Sequence, residues 1–239
     1  MSAAPAATLD REEIPDFQTF GVRAFTTTRN AGTFGLGGPD PVGEVMSRWT
    51  DLQSELAQNA RKVVIGRQVH GTRVLAHSGG WEGFLRTGDA DGHIATEKGT
   101  ALAVSVADCV PVFIAHESGA VAILHAGWRG TAARIIDNGL AEFARRKIAP
   151  DELMVHLGPA ICGRCYEVSA DVRAQLTGET ANRAGNVDLR SLLAEHAHEA
   201  GVSRVSVSPY CTKCDNDRFF SHRAGDTGRQ VGVIVASLW

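Results

Sequence analysis

The sequence has 239 residues, 44% hydrophobic residues and a formal net charge of −3. This length suits one large domain or two small ones, and the composition is typical of a soluble globular protein. The near-neutral charge and the scattered basic residues disfavour a nucleic-acid or anionic-membrane partner. No apolar run reaches the roughly 18 residues that would span a bilayer.

The first 15 residues differ in composition from the rest of the chain. They are small and then acidic, and they lack the positive and apolar segments of a secretion signal. We therefore expect residues 1–15 to form a flexible N-terminal arm, residues 16–239 to form a single domain, and the protein to be cytoplasmic. In that compartment the five cysteines are expected to be reduced thiols or metal ligands rather than disulfides.

Hydrophobic periodicity and turn residues predict an alternation of strands and helices. The first half of the chain is predicted to contain, in order, a strand at 22–29, a Gly/Pro-rich loop at 30–43, a helix at 42–58, a strand at 62–71, a turn-rich segment at 88–94, two buried strands within 101–115 and a buried strand at 120–124. The second half is predicted to contain a helix at 131–147, a strand at 152–161, a helix at 186–201 and strands at 202–208 and 231–239. With no internal repeat or linker, this order predicts one mixed α/β domain.

Two of the predicted strands place particular side chains. Because side chains alternate along a strand, Gln68 and His70 are expected to share one face of the strand at 62–71. The two buried strands within 101–115 are expected to meet near Cys109, with Pro111 marking the break between them.

Three residues with metal-ligand side chains follow or end apolar strands. They are His70, Cys109 and His125, separated by 39 and 16 residues (70 to 109, and 109 to 125). Two imidazoles and one thiolate suit zinc and leave a fourth tetrahedral position for water or substrate. No local zinc-finger spacing is present, so the fold would have to assemble such a site. The residues alone favour the alternative of core histidines and a buried inert cysteine.

The other four cysteines form two C-x-x-C pairs. Cys162 pairs with Cys165 and Cys211 with Cys214, and 45 residues (166 to 210) separate the pairs. Two such pairs can build a four-thiolate structural zinc site, but the usual separation is about 15–20 residues. The long separation favours unpaired core or loop thiols. A four-thiolate site would leave Cys109 as the odd cysteine, which supports a separate role for it.

Two further patterns have a chemical and a structural interpretation. His196 and His198 form a His-x-His pair that could bind copper, but in a helix they point to different sides, which favours a solvated helix face. Asp89 and Asp91 could act as an acid–base pair, but the sequence GDADG is first of all typical of a turn.

The segment GWRGT at 127–131 also has two interpretations. Backbone amides at a helix start, next to the guanidinium of Arg129, suit phosphate or carboxylate. The alternative is a tight strand-to-helix turn in which Trp128 fills the core.

Five motifs in order resemble a known bacterial family. They are RQVHGTRV (67–74), ADCVPVFIA (107–115), HAGWRGTA (125–132), LGPAICGRCYEV (157–168) and FFSHRAGDTGRQ (219–230). Together they closely resemble the purine nucleoside phosphorylase family formerly described as multicopper polyphenol oxidase or laccase-like, which is also linked to peptidoglycan editing. The match runs from about residue 22 to the C-terminus. It implies a single domain of mixed β-sheets flanked by helices, with a cysteine-hydrolase-like fold.

The resemblance also implies a set of site residues. The metal ligands and catalytic residues would be His70, Cys109 and His125, holding a catalytic zinc ion. Substrate or phosphate contacts would come from Arg48, Arg129, Ser221 and Arg223, and Asp108 would be a second-layer partner. The chain departs from the family pattern at Gly35 and Ser47, where the family usually has asparagine, and at His222, where tyrosine is frequent.

The activity implied by the resemblance is phosphorolysis of adenosine, inosine and methylthioadenosine to the base and ribose 1-phosphate, together with deamination of adenosine. The substrates would be purine nucleosides and phosphate. One alternative is an amide hydrolase of peptidoglycan-precursor editing with Cys109 as nucleophile; another is a metal- or nucleotide-binding module without turnover. A multicopper oxidase fits poorly, because the chain has nine histidines and one His-x-His pair. Monomer and homodimer both stay open.

Overall fold

The computed structural model describes residues 9–236. Its strands are β1 Arg11–Glu13, β2 Val22–Thr27, β3 Lys62–Arg67, β4 Val74–His77, β5 Gly83–Asp89, β6 Gly92–Ala95, β7 Thr100–Val106, β8 Val110–Ala115, β9 Val121–Ala126, β10 Met154–Leu157, β11 Glu167–Val168, β12 Gly185–Asn186, β13 Arg204–Val207 and β14 Gln230–Ala236. Its α-helices are α1 Val42–Leu56, α2 Trp128–Ala132, α3 Ile135–Ala144, α4 Ala170–Thr177 and α5 Leu189–Glu199. Short 3-10 helices occur at Pro15–Phe20, Arg29–Ala31, Pro150–Glu152 and His222–Ala224.

Two six-stranded sheets form the centre of the domain. The first sheet has the order β1-β2-β14-β7-β3-β5 and the second β13-β10-β8-β9-β6-β4, while β11 and β12 form a small separate ribbon. Both large sheets are mixed, because β3 runs parallel to β5 and β7, and β10 runs parallel to β13, whereas β8 and β9 are antiparallel. This architecture confirms the predicted mixed α/β domain with flanking helices.

The two sheets pack face to face, and helices cover their outer faces. A buried cluster between the sheets includes Val104 and Ile234 of the first sheet and Phe113 and Ile123 of the second. The outer face of the first sheet packs against α1, whose apolar face includes the fully buried Trp49. The outer face of the second sheet packs against α3 and α5. This arrangement buries β8 and β9 on both faces and explains their uninterrupted apolar sequences.

Two predicted strands differ from the observed ones at their functional ends. The strand predicted at 62–71 ends at Arg67, so the prediction that Gln68 and His70 share a strand face is wrong. The chain turns after Arg67, and His70 has a positive φ of 59°. The break within 101–115 falls at residues 107–109, not at Pro111, which lies inside β8 opposite His125. The backbone N–H of His125 points away from β8 and donates to the Asp91 carbonyl oxygen. Pro111 and His125 therefore form a pair without backbone hydrogen bonds between them, where the missing N–H of proline is tolerated.

Three other expectations are corrected in part. The helix predicted at 131–147 is divided into α2 and α3, because Arg134 has a positive φ of 57°. The segment predicted as turns at 88–94 contributes the end of β5 and the start of β6. Within the predicted N-terminal arm, residues 11–13 form β1 and pair with β2, whereas residues 1–8 lie outside the described part of the chain. Residues 237–239 of the last predicted strand also lie outside it.

No helix within residues 9–236 is long and apolar enough to cross a membrane.

Candidate metal centre

His70, Cys109 and His125 converge at one end of the two-sheet core. Their ligand atoms all lie within 4.8 Å of one another, although the residues come from three separate segments. His70 lies in the loop after β3, Cys109 lies where the chain passes from β7 in the first sheet to β8 in the second, and His125 is the next-to-last residue of β9. The packing of the sheets therefore assembles the group of metal-ligand side chains that the sequence suggested.

The carboxylate of Asp91 orients two of the three residues. Its Oδ1 accepts a hydrogen bond from Nδ1 of His125 at 2.8 Å and from the backbone N–H of His70 at 2.9 Å. Its Oδ2 accepts from the backbone N–H groups of Val69 at 3.1 Å and Gly71 at 2.8 Å. Because Asp91 engages Nδ1 of His125, it is Nε2 that remains for a metal ion, an arrangement common in protein metal sites.

Two of the four non-glycine residues with positive φ in the described part of the chain lie at the candidate ligands. His70 has φ 59° and Asp108, next to Cys109, has φ 82°, in the left-handed region that non-glycine residues rarely adopt. The Asp91 carboxylate holds the first of these conformations. The second is held by Asp108 itself, whose Oδ1 accepts from the Thr212 hydroxyl at 2.6 Å and whose Oδ2 accepts from the Arg223 N–H at 2.7 Å. Strain of this kind is typical of functional sites.

The electrostatics of the centre favour a thiolate. Burial raises the pKa of the Cys109 thiol. The positive charges of His125 and His70, and the hydrogen bonds that they donate to the sulfur, outweigh burial and lower this pKa overall to about 6. Burial lowers the pKa of His125, but the Cys109 thiolate and the hydrogen bond to Asp91 raise it overall to about 9. Without a metal, these opposite shifts favour an ion pair of thiolate and imidazolium. A metal ion would find its sulfur ligand already ionised and would displace a proton from His125.

Two adjoining cavities open beside these residues. One, of about 300 Å³, is bordered by Trp128, Arg129, Tyr166 and Arg223, and the other, of about 340 Å³, by Gln68, Ser105, His125 and Arg229. His70, Cys109 and His222 line both. A ligand bound in either cavity would thus lie next to the candidate metal ligands, and both volumes are at the lower end of the usual range for small-molecule sites.

The segment at 127–131 supplies one wall of the first cavity. Trp128 is half-buried: it packs against the hydrophobic core and also borders the cavity, with the Arg129 guanidinium carbon 4.3 Å from its ring centroid, so its interpretation as core filler holds only in part. Gly127 allows the chain to pass close to the ligands, since a Cβ there would lie 2.9 Å from the Cys109 sulfur and 3.0 Å from Cδ2 of His70. A side chain at position 127 would collide with the centre.

The four residues expected to contact substrate lie in different places. Arg129 and Arg223 both border the first cavity, and the Arg223 guanidinium carbon lies 4.9 Å from the Tyr166 ring centroid. Arg48 lies at the 30–43 loop, where Nη1 donates to the Thr33 carbonyl oxygen at 3.3 Å. Ser221 is fully buried, and its Oγ accepts from the Ala224 N–H at 3.2 Å.

Sequence reasoning missed the role of Asp91. It does not pair with Asp89, which forms an ion pair with Arg67 at the surface. The structural role of Gln68, whose side-chain amide binds the backbone of Ser105, was also missed. Its Oε1 accepts from the Ser105 N–H at 2.8 Å and its Nε2 donates to the Ser105 carbonyl oxygen at 2.8 Å, which ties the His70 loop to β7. Gln68 lies within the motif at 67–74, which could have indicated its role, whereas Asp91 lies in none of the five motifs.

Comparison with known proteins agrees with this architecture. Residues 23–237 match the family model described as multi-copper polyphenol oxidoreductase laccase. The chain belongs to this family. It is 32% identical over 208 residues to a purine nucleoside phosphorylase of Streptomyces griseus, covering 84% of each chain. It is 35% identical over 209 residues to a purine nucleoside phosphorylase of Deinococcus radiodurans, covering 82% of this chain and 78% of that one.

A solved structure shares the fold over nearly its whole length. The crystal structure of YlmD from Geobacillus stearothermophilus superimposes with a TM-score of 0.87 at 30% sequence identity, covering 97% of this chain and 98% of that one. The resemblance inferred from the five motifs is thus confirmed.

Proposed function

We propose that the protein is a zinc-dependent purine nucleoside phosphorylase that also deaminates adenosine. The convergence of His70, Cys109 and His125 beside two ligand-sized cavities carries this proposal. The names of the relatives support the phosphorylase class. Its substrates would be a purine nucleoside, such as adenosine, inosine or methylthioadenosine, and inorganic phosphate.

The chemistry of the donors favours zinc over copper. Two imidazoles and one thiolate are a common catalytic zinc set, and they leave a fourth position open. At such a position zinc supplies Lewis acidity and a water of lowered pKa. Copper centres with two histidines and one cysteine add a weak axial ligand, often methionine. Met154 lies opposite Ala115, at the far end of β8 from Cys109, and Met46 packs on the outer face of the first sheet.

The residues around the first cavity provide contacts for both substrates. Arg129 and Arg223 present guanidinium groups that suit phosphate, and each lies over an aromatic ring that limits its freedom. Trp128 and Tyr166 offer aromatic surface against which a purine can pack. In phosphorolysis a phosphate oxygen bonds to the anomeric carbon of ribose while the bond to the purine nitrogen breaks, and the purine leaves with a proton. Two guanidiniums would hold the phosphate in position for this attack.

A second candidate function follows from one specific arrangement. Cys109, His125 and Asp91 form a thiolate, an imidazole and an orienting carboxylate in hydrogen-bonded order, which is the arrangement of a cysteine hydrolase. Such an enzyme would cleave an amide, for example in a peptidoglycan precursor, through an acyl intermediate on Cys109. This mechanism gives no role to His70, whose side chain also converges on Cys109.

His70→Ala separates the two candidates. For the phosphorylase, we expect this variant to lose the zinc ion held by Cys109 and His125, together with ribose 1-phosphate formation from adenosine and phosphate. The hydrolase would keep amide cleavage without metal. His198→Ala, which removes an imidazole at the end of α5, is the control and should behave like the wild type.

The same assays on the wild type complete the test. Ribose 1-phosphate should form only with phosphate present, whereas deamination to inosine should continue without it. A chelator should stop both reactions, and added zinc should restore them. Rapid alkylation of Cys109 in the zinc-loaded protein, or full turnover after zinc removal, would refute the zinc phosphorylase.

Phosphate binding by Arg129 is tested by Arg129→Ala. Loss of one charged hydrogen-bonding partner, worth about 1.5–3 kcal/mol, should raise the Michaelis constant for phosphate by roughly 10- to 100-fold. The constant for adenosine should change much less. Equal increases in both constants would indicate a packing role for the turn.

A further inference from the structure

The two C-x-x-C pairs, distant in sequence, meet at a second site. The sulfur atoms of Cys162, Cys165, Cys211 and Cys214 all lie within 4.8 Å of one another. We refer to these four residues as the thiol cluster. The prediction of unpaired thiols assumed that 45 intervening residues keep the pairs apart, and this assumption is wrong.

The topology of the second sheet explains why the pairs meet. Cys162 follows β10 and Cys211 follows β13, and these two strands are parallel neighbours. Parallel neighbours need a long crossover, here supplied by β11, α4, β12 and α5, and their carboxyl ends reach the same edge of the sheet. A bridge between Ala160 and Cys211 continues the pairing up to the cluster. The 45 residues between the pairs form this crossover, and the two pairs are close in space despite their distance in sequence.

The distances between the sulfur atoms fit a tetrahedral metal site. Zinc–sulfur bonds of about 2.3 Å place the sulfurs of a tetrahedron roughly 3.8 Å apart. The Cys165 and Cys214 sulfurs are 3.5 Å apart, and all four cysteines are free thiols. Backbone N–H groups also point at sulfur, since those of Cys162 and Cys214 donate to the Cys211 sulfur at 3.3 and 3.4 Å.

Both turns of the cluster are fixed by surrounding groups. The Asn186 side-chain amide donates to the carbonyl oxygens of Gly163 at 2.7 Å and Arg164 at 3.0 Å. Asp188 accepts from the Gly163 N–H at 3.1 Å, and Asp215 accepts from the Cys211 N–H at 2.9 Å. Hydrogen bonds of this kind hold ligand-bearing turns in position before a metal arrives.

We propose that the thiol cluster binds a structural zinc ion, distinct from the candidate metal centre. Four thiolates close the coordination sphere and leave no position for substrate, which is the pattern of a structural site. Each sulfur that carries a proton releases it to solvent as its bond to zinc forms. The ion would join the turn after β10 to the turn after β13, which α4, α5 and the small ribbon otherwise separate in sequence.

The candidate metal centre is removed first, so that the test of the thiol cluster depends neither on the metal of that centre nor on enzymatic activity. His125→Ala, and Cys109→Ser as a second route to the same end, should each retain about one zinc per chain by elemental analysis. Adding Cys165→Ala and Cys214→Ala together should abolish that zinc. These two residues are chosen because neither is fully buried, so the variants should fold. Lys213→Ala, an exposed change in the same turn, should keep the zinc.

Two further measurements make the assignment specific. Cobalt substituted into His125→Ala should give the intense charge-transfer and d–d absorption of a four-sulfur tetrahedral site, and cysteine alkylation should be slow until a chelator removes the metal. Zinc absent from His125→Ala and Cys109→Ser after purification under reducing conditions would overturn the proposal. So would iron in place of zinc, a Cys165–Cys214 disulfide in the freshly purified protein, or zinc that survives loss of both cysteines.

Discussion

Asp91→Asn tests whether the buried carboxylate preorganises the candidate metal centre. Asp91 is fully buried and accepts hydrogen bonds from four donors, the His125 ring and the backbone N–H groups of Val69, His70 and Gly71. Burial raises its pKa, but these hydrogen bonds and the charge of His125 lower the pKa overall. The substitution keeps the size of the side chain and removes its charge and one acceptor atom.

The expected magnitude follows from counting donors. An asparagine oxygen in the place of Oδ1 still accepts from His125 and His70, but its NH₂ group then faces the N–H groups of Val69 and Gly71. Each buried donor left without an acceptor costs about 1–3 kcal/mol. The opposite amide orientation leaves His125 and His70 without an acceptor. Loss of such an orienting partner typically weakens metal binding by about 10- to 100-fold, or roughly 1.4–2.7 kcal/mol.

The dissociation constant of zinc at the candidate metal centre is measured by competition with a chromophoric chelator, following the zinc whose removal is expected to abolish turnover. Asp89→Asn is the matched control, because Asp89 lies two residues away and pairs only with Arg67 at the surface. We expect weaker zinc binding in Asp91→Asn alone, with a lower unfolding free energy. Equal dissociation constants in Asp91→Asn and the wild type would refute the preorganisation argument.

Three more changes test other parts of the structure. Gly127→Ala should prevent metal binding at the candidate metal centre, since the new Cβ would lie 2.9 Å from the Cys109 sulfur; elemental analysis should find about one metal ion per chain fewer than in Gly37→Ala, where the new Cβ meets open space. Thr212→Val removes the hydroxyl that donates to Asp108 at 2.6 Å and should lower the free energy of unfolding in urea by about 1–3 kcal/mol; an unchanged value would exclude this role. His156 is buried, which lowers its pKa from 6.5 to about 4. As the pH drops from 6.5 towards 4, His156 therefore binds a proton in the unfolded chain but not in the folded one. The free energy of unfolding falls over this range by up to about 1.4 kcal/mol per pH unit. His156→Phe should make that loss shallower in urea titrations.

The fold was predictable where local patterning and tertiary packing agree. The helix predicted at 42–58 is α1 at Val42–Leu56, because its apolar residues repeat at helical spacing and face one sheet. The two strands on either side of Cys109 were predictable because both lie between layers and are buried and predominantly apolar. The extension of β3 to His70 failed because alternation continues past Arg67, whereas the distant Asp91 captures the N–H groups that a strand would need.

The candidate site was predictable in its ligands but not in its surroundings. Motifs identified the three residues that converge, yet they do not encode side-chain direction. Ser221 lies inside a motif and its hydroxyl caps a short helix, and Arg48 lies against the backbone of a loop. The thiol cluster was misjudged because separation in sequence says little about distance when the segments follow neighbouring parallel strands.

Asp108 connects the candidate metal centre to the thiol cluster. Its backbone holds a left-handed conformation immediately before Cys109, and its carboxylate accepts a hydrogen bond from Thr212, which lies between Cys211 and Cys214. Whatever fixes the turn of these two cysteines therefore also fixes Asp108 and, through the backbone, the position of the Cys109 sulfur. A zinc ion in the thiol cluster would thus stabilise the geometry of the first site without contacting any substrate. A strained conformation persists only where its surroundings hold it, and the Thr212 hydroxyl makes the turn of the thiol cluster part of the surroundings of Asp108.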